Sequence, residues 1–135
     1  FEGAGGIGGL LGRSQHAAAG QPTTHAYYHA DGNGNITMMV NAQQAIVADY
    51  TYDPYGNETG RSGPLADANL YRFSSKEFRP NSGFYYYGYR FYVPKLQRWV
   101  NRDPLEERGG KNLNAFVVNS PVNSYDLFGF NTGTG

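Results

Sequence analysis

From Thr24 onward, apolar and aromatic positions come in short runs, and each run is closed by residues that favour tight turns. HAYYHA is followed by DGNGN, ITMMV by NAQQ, and AIVADYTY by DPYGN. Runs of this length, rich in Tyr, Thr, Val and Ile and bounded by Asn, Asp, Gly and Pro, predict strands joined as a meander of hairpins. Further along, an aromatic residue stands two positions before a proline in Tyr52-Asp53-Pro54, Phe78-Arg79-Pro80 and Tyr92-Val93-Pro94. Proline suits the end of a strand, where no ladder donor is lost, so each unit reads as strand and then turn. Repetition of such units predicts a stacked array whose neighbours bury one another, too irregular in spacing for a strict solenoid. The expected fold class is all-β: antiparallel hairpin repeats forming part of a shell or spiral sheet, with at most one short helical turn near 112–118, ended before Pro121.

The stretch FYYYGYRFYV, Phe84 to Val93, is the densest in aromatic residues. Read as one strand, it places Tyr85, Tyr87, Tyr89, Phe91 and Val93 on one face, which is a core-forming face, and Phe84, Tyr86, Gly88, Arg90 and Tyr92 on the other. On that second, partly wet face the missing side chain at Gly88 leaves room for the Arg90 guanidinium to lie across a neighbouring ring. Residues 1–22 are dominated by Gly and Ala. Glycine's backbone entropy argues against a helix there and for an extended, docked segment or a mobile one.

Composition narrows the function. At 135 residues the chain fits one domain. Its Lys plus Arg total, 11, equals its Asp plus Glu total, so no global field gathers polyanions, and nucleic acid is not an expected partner even though Arg90, Lys95, Arg98 and Arg102 follow the aromatics. With no cysteine there are neither disulfide staples nor thiolate metal sites. No apolar run is long enough for a membrane helix, so no membrane insertion is expected. FEGAGGIGGLLG lacks the basic start and continuous apolar stretch of a signal peptide, and Phe1 in place of an initiating Met reads as a fragment or processed product of a longer chain.

Several short motifs fail on context. Gly3, Gly5 and Gly8 match G-x-G-x-x-G, but no strand precedes them and no amphipathic helix follows. Asp31, Asn33 and Asn35 open like a calcium loop, but Ile36 stands at its sixth position and Ala42 at its twelfth, so a hairpin turn is the better reading. His16, His25 and His29 are too scattered to predict a metal site. No cofactor is expected.

Tyr71 to Phe130, YRFSSKEFRPNSGFYYYGYRFYVPKLQRWVNRDPLEERGGKNLNAFVVNSPVNSYDLFGF, resembles the core region that ends the repeat array of Rhs (YD-repeat) proteins. Upstream, YHADGNGNITMMV and ADYTYDPYGN are similar to the tyrosine-aspartate repeats themselves, and GGIGGLLG to a lead-in segment. The resemblance implies four parts: an extended segment 1–22, hairpin repeats 23–70, the core region 71–130 and a tail 131–135. It further implies an extracellular or cell-surface β-strand shell, closed at one end by the core region, around a polypeptide cargo that is often a toxin. Its partners are the upstream repeats and that cargo.

In many relatives the core region also cuts the chain just after its last motif, with paired aspartates working as in an aspartic protease. Carried onto this chain, RDPL gives Asp103 with Arg102 beside it, DLFGF gives Asp126, and the scissile bond is Phe130–Asn131. Two carboxylates forced together cannot both ionise, so one donates a proton while the other activates water. Arg102 would hold a carboxylate or the developing oxyanion. The chain departs from the family pattern at Leu127, where proline is common, at Phe130, usually leucine, and at Gln97, frequently glycine. A structural reading stands beside the catalytic one: an Asp-Pro turn at Asp103, and at Asp126 a carboxylate capping the tight turn at Gly129.

The alternative function is a self-assembling subunit of an extracellular fibre or filament. A unit this short cannot close round a cargo, and its terminal strands leave edges to which another copy adds. The Gly-rich N-terminal segment would then be the donated strand.

Overall fold

The computed structural model describes residues 9–16, 19, 22–102, 112–129 and 133–134. Strands β1 (Gly12–Gln15), β2 (Thr24–Ala30), β3 (Ile36–Asn41), β4 (Ile46–Tyr52) and β5 (Glu58–Ser62) form a five-stranded antiparallel meander in sequence order. A second meander follows from β6 (Glu77–Arg79), β7 (Phe84–Tyr86), β8 (Phe91–Val93) and β9 (Arg98–Trp99). The short pair β10 (Ser124–Tyr125) and β11 (Gly133–Thr134) lies near the C-terminus. The fold is all-β and antiparallel, as the hairpin pattern predicts. DGNGN, NAQQ and DPYGN are the turns of the first sheet, and β4, β6 and β8 each end immediately before or within one residue of a proline.

Each sheet has its own core. The first gathers Ala26, Ile36, Met39, Val47, Ala48, Tyr50 and Ala66, and the second Phe73, Tyr85, Tyr87, Tyr92, Trp99, Phe116 and Val117. Tyr52 packs against both. In the second core the rings of Tyr92 and Phe116 stack at 3.8 Å and Trp99 meets Tyr87 edge-on at 4.9 Å. Rings of this size remove the most apolar area from water per residue, so strands of two or three residues still enclose a core.

Several expectations change. FYYYGYRFYV is two strands: Tyr87-Gly88-Tyr89-Arg90 reverses the chain, with Gly88 at φ 97° and the Tyr87 N–H donating to the Arg90 carbonyl at 3.0 Å. Parity is therefore lost at the turn. Tyr85, Tyr87 and Tyr92 are buried, whereas Tyr89 and Phe91, expected on the buried face, are exposed. Arg90, expected on a partly wet face, is buried. Within the N-terminal segment, Gly12–Gln15 is extended and pairs with β2 of its own chain, the docked of the two states expected for it. Short 3-10 turns form at Phe73–Ser75 and Pro94–Leu96 as well as at Val117–Asn119, so there is more than the one helical turn expected, and the last is displaced from 112–118.

Candidate functional site: the Asp126 turn

Three hairpin turns of the first sheet, from β2 to β5, share one construction. In Asp31-Gly32-Asn33-Gly34-Asn35, one carboxylate oxygen of Asp31 accepts the backbone N–H groups of Asn33 and Asn35, both at 2.9 Å. The other accepts the Asn35 side-chain amide at 2.8 Å. Asp53-Pro54-Tyr55-Gly56-Asn57 repeats this bond for bond, with Tyr55 and Asn57 N–H groups at 2.9 Å and the Asn57 amide at 2.7 Å. Asn41 does the same with its single oxygen, bonded to the N–H groups of Gln43 and Ala45. The fourth residue of each is left-handed: Gly34 at 79°, Gln44 at 63°, Gly56 at 86°. D-x-x-G-N is thus a turn whose aspartate is satisfied entirely from within.

Asp126-Leu127-Phe128-Gly129 begins with the same bond from the third residue, but its second comes from the fourth residue rather than the fifth. Its Oδ1 accepts the N–H of Phe128 at 3.2 Å and of Gly129 at 2.7 Å, and Gly129 has φ 84°. The fifth residue, however, is Phe130 rather than Asn. The second oxygen is held instead from another element: Arg90, in the turn between β7 and β8, donates Nη2 to Asp126 Oδ2 at 3.3 Å. Its Nε donates to the Gly129 carbonyl, its Nη1 to the Leu113 carbonyl at 3.3 Å, and its guanidinium lies 4.1 Å above the Trp99 ring. Arg90 is 3% exposed and Asp126 2%. A buried ion pair is tolerated only when charges and hydrogen-bonding groups are matched, and here both partners are matched.

The sequence YRF occurs twice, and its central residue does the same work each time. Arg72 is 1% exposed, pairs with Glu58, donates to the Asn69 and Ala66 carbonyls, and lies 4.7 Å above the Phe78 ring. Lys76 completes the Asp126 site. Its ammonium donates to the Leu127 carbonyl at 2.6 Å and sits 5.2 Å above the Tyr87 ring. Burial pulls the Lys76 pKa below its ordinary value, and the negative charge of Asp126 offsets part of that shift. Beneath it, burial pushes the Tyr87 hydroxyl far up, with Ser74 acting in the opposite sense.

Of the residues predicted from sequence, Asp126 is at the centre of this cluster, while Arg102 is exposed. Asp103 and the bond Phe130–Asn131 lie outside the described residues. The guanidinium that meets Asp126 belongs to Arg90, which the sequence reading treated as a packing residue; the second YRF was the available signal. Chemically, the cluster clamps the backbone that leads directly into Phe130. Leu127, Phe128 and Gly129 have their carbonyls bonded in succession by Lys76, by the Tyr89 N–H at 3.3 Å and by Arg90.

No protein-family model matches the chain. Toxin subunit YenC1 of Yersinia entomophaga is 34% identical over 137 aligned residues, covering 93% of this chain and 14% of that protein. The tRNA nuclease WapA of Bacillus subtilis is 30% identical, covering 74% of this chain and 4% of its own length. Among solved structures, the crystal structure of TcdB2-TccC3 superposes with a TM-score of 0.84 at 30% identity over 92% of this chain and 6% of that one. A Photorhabdus luminescens Tc holotoxin pore gives 0.83 at 29% identity. The chain therefore spans a small part of the relatives it matches. On this likeness in sequence and in fold, the chain belongs to the Rhs (YD-repeat) proteins.

Proposed function

We propose that this region ends an Rhs shell that encloses the polypeptide following it, and that it frees this polypeptide by aspartate-dependent cleavage between Phe130 and Asn131. The observation that carries the reading is the clamp on residues 126–129: a buried carboxylate, a guanidinium and three gripped carbonyls fix the chain immediately before that bond. Holding a peptide in one geometry is the larger part of what intramolecular cleavage needs. In this reading Asp126 and Asp103 share one proton, one activating water and the other protonating the leaving nitrogen. Arg90 takes the role first assigned to Arg102, because it is Arg90 that touches Asp126. The shell would lie outside the cell, as the holotoxin relatives suggest, and its partners would be the upstream repeats and the enclosed polypeptide.

Intact mass spectrometry of the native full-length protein tests this. The expected result is one fragment ending at Phe130 and one beginning at Asn131, with Asp103→Asn and Asp126→Asn chains left whole. An uncut wild-type protein sinks self-cleavage, and an Asp103→Asn chain cut at the wild-type rate sinks the aspartate pair.

A further inference from the structure

Phe73–Ser75 is a 3-10 turn in which two consecutive non-glycine residues are left-handed, Ser74 at φ 51° and Ser75 at 56°. Such conformations cost about 1–2 kcal/mol each and persist only where neighbours impose them. The neighbours belong to the first sheet. The Ser74 N–H donates to Asn35 Oδ1 at 2.8 Å, the Ser75 hydroxyl to the Gly34 carbonyl at 2.7 Å, and the Ile36 N–H to the Arg72 carbonyl at 3.0 Å. Asn35 is the residue whose amide closes the Asp31 turn. The Asp31–Asn35 turn therefore holds the Ser74–Ser75 turn in shape.

Lys76 comes next in the chain and is fixed at both backbone groups, its N–H donating to the Phe73 carbonyl at 2.9 Å and its carbonyl accepting from the Arg72 N–H at 3.1 Å. From that anchored position its side chain reaches the Leu127 carbonyl, 51 residues away in sequence. Hydrogen bonds thus run from the second hairpin of the first sheet to the turn before Phe130, through one strained segment and one ammonium.

We propose that Lys76 is a positioning residue for the DLFG turn, and that it makes the cut after Phe130 conditional on a folded repeat turn at Asp31–Asn35. The dependence on cutting rests on the function proposed above, whereas the coupling of the two turns rests on the contacts alone. A chain whose Asp31–Asn35 repeat turn has not formed has no fixed Lys76. It then lacks one of the three donors that grip residues 127–129, and the cargo stays attached until the wall is in place.

The test uses the native full-length protein refolded from denaturant, with Lys76→Met, Lys76→Arg and Asn35→Ala variants. Two readouts are followed: the rate of cutting by intact mass, and hydrogen exchange at the Phe128 and Gly129 amides. Lys76→Met is expected to slow cutting about tenfold and to speed exchange about tenfold. Lys76→Arg, which keeps charge and donor, is expected to recover most of both. Asn35→Ala is expected to move both the same way by a smaller factor. A Lys76→Met chain that cuts at the wild-type rate overturns the proposal, as does a slow Lys76→Met chain that Lys76→Arg does not rescue. Should the wild-type protein not cut, the cleavage reading falls and exchange alone decides: faster exchange in both Lys76→Met and Asn35→Ala keeps the coupling, and unchanged exchange removes it.

Discussion

The two sheets solve the same problem with different materials. Strands of four to seven residues in the first sheet surround a core that is aliphatic apart from Met39 and one ring, Tyr50, and its turn aspartates are satisfied by an asparagine four positions on. Strands of two or three residues in the second surround a core of rings, and its turn aspartate is satisfied by an arginine 36 positions back. The turns of the first half are therefore closed by contacts that each hairpin makes alone. The second exists only when distant segments meet, which ties the shape of the Asp126 turn to completion of the fold.

Alkaline titration should separate the halves most strongly. Burial raises the hydroxyl pKa of Tyr52, Tyr85, Tyr87 and Tyr92, all four packed on the aromatic core. In the unfolded chain these hydroxyls ionise near pH 10; in the folded chain they stay protonated. Stability is thus fully present below pH 10 and is lost as pH rises above it, by about 1.4 kcal/mol per tyrosine per pH unit. Tyr28 and Tyr50 of the first half are also pushed up by burial, but four tyrosines share the second core. Trp99, the single tryptophan, sits in that second core. Its emission should change at lower pH than the amide circular dichroism of the whole chain. Coincident transitions, or an unchanged emission at pH 12, would break the distinction between the halves.

Next in size is removal of each buried arginine. Arg90→Met strands a carboxylate that is 2% exposed and two backbone carbonyls with it, and should lower stability by about 3–5 kcal/mol. Arg72→Met should cost about 1–3 kcal/mol, because Glu58 is 20% exposed and keeps Arg61 at 3.6 Å. Urea midpoints at constant slope measure both. Equal losses would mean that the sequestered pair at Asp126 contributes nothing special.

The turns of the first sheet were legible in the sequence because Asx chemistry is local: Asp53 and Asn57 find each other whatever the rest of the chain does. The break in the aromatic stretch was not, because alternation alone cannot tell a continuous strand from two strands when every position but Gly88 and Arg90 is apolar or aromatic. Gly88 was read as empty space rather than as a left-handed turn. Asp126 was legible as a turn cap, which it is. Its partner was not, since neither spacing nor periodicity links residue 90 to residue 126; only the repetition of YRF around a second buried arginine pointed there.

Glycine substitutions give a smaller contrast. A Cβ on Gly56 would lie 2.6 Å from ring carbons of Phe73, and φ is 86°, so Gly56→Ala should lose about 2–4 kcal/mol through overpacking and strain together. At Gly83, φ is 73° but nothing lies within 4 Å of the added carbon. Gly83→Ala should therefore lose about 1 kcal/mol from backbone strain alone. If thermal melting placed the two variants together, the Phe73 ring would have to be movable, and the packing that joins the D-x-x-G-N turn to the aromatic core would be loose.

The smallest effect bears on the likeness between the turns themselves. If the Asp126 turn is a D-x-x-G-N turn whose asparagine has been replaced by Arg90, then Phe130→Asn restores the internal partner and should make Arg90 less necessary. In the Arg90→Met background Phe130→Asn should return about 1 kcal/mol, the worth of one hydrogen bond to the otherwise uncompensated oxygen. Alongside an intact Arg90 the same change should return little, because Arg90 already holds that oxygen. The difference between the two backgrounds, read as a double-mutant cycle, isolates the competition at Asp126 Oδ2. A difference of zero would mean that Asp126 and Asp53 share the bond from their third residue by coincidence of local geometry and are not built on one plan.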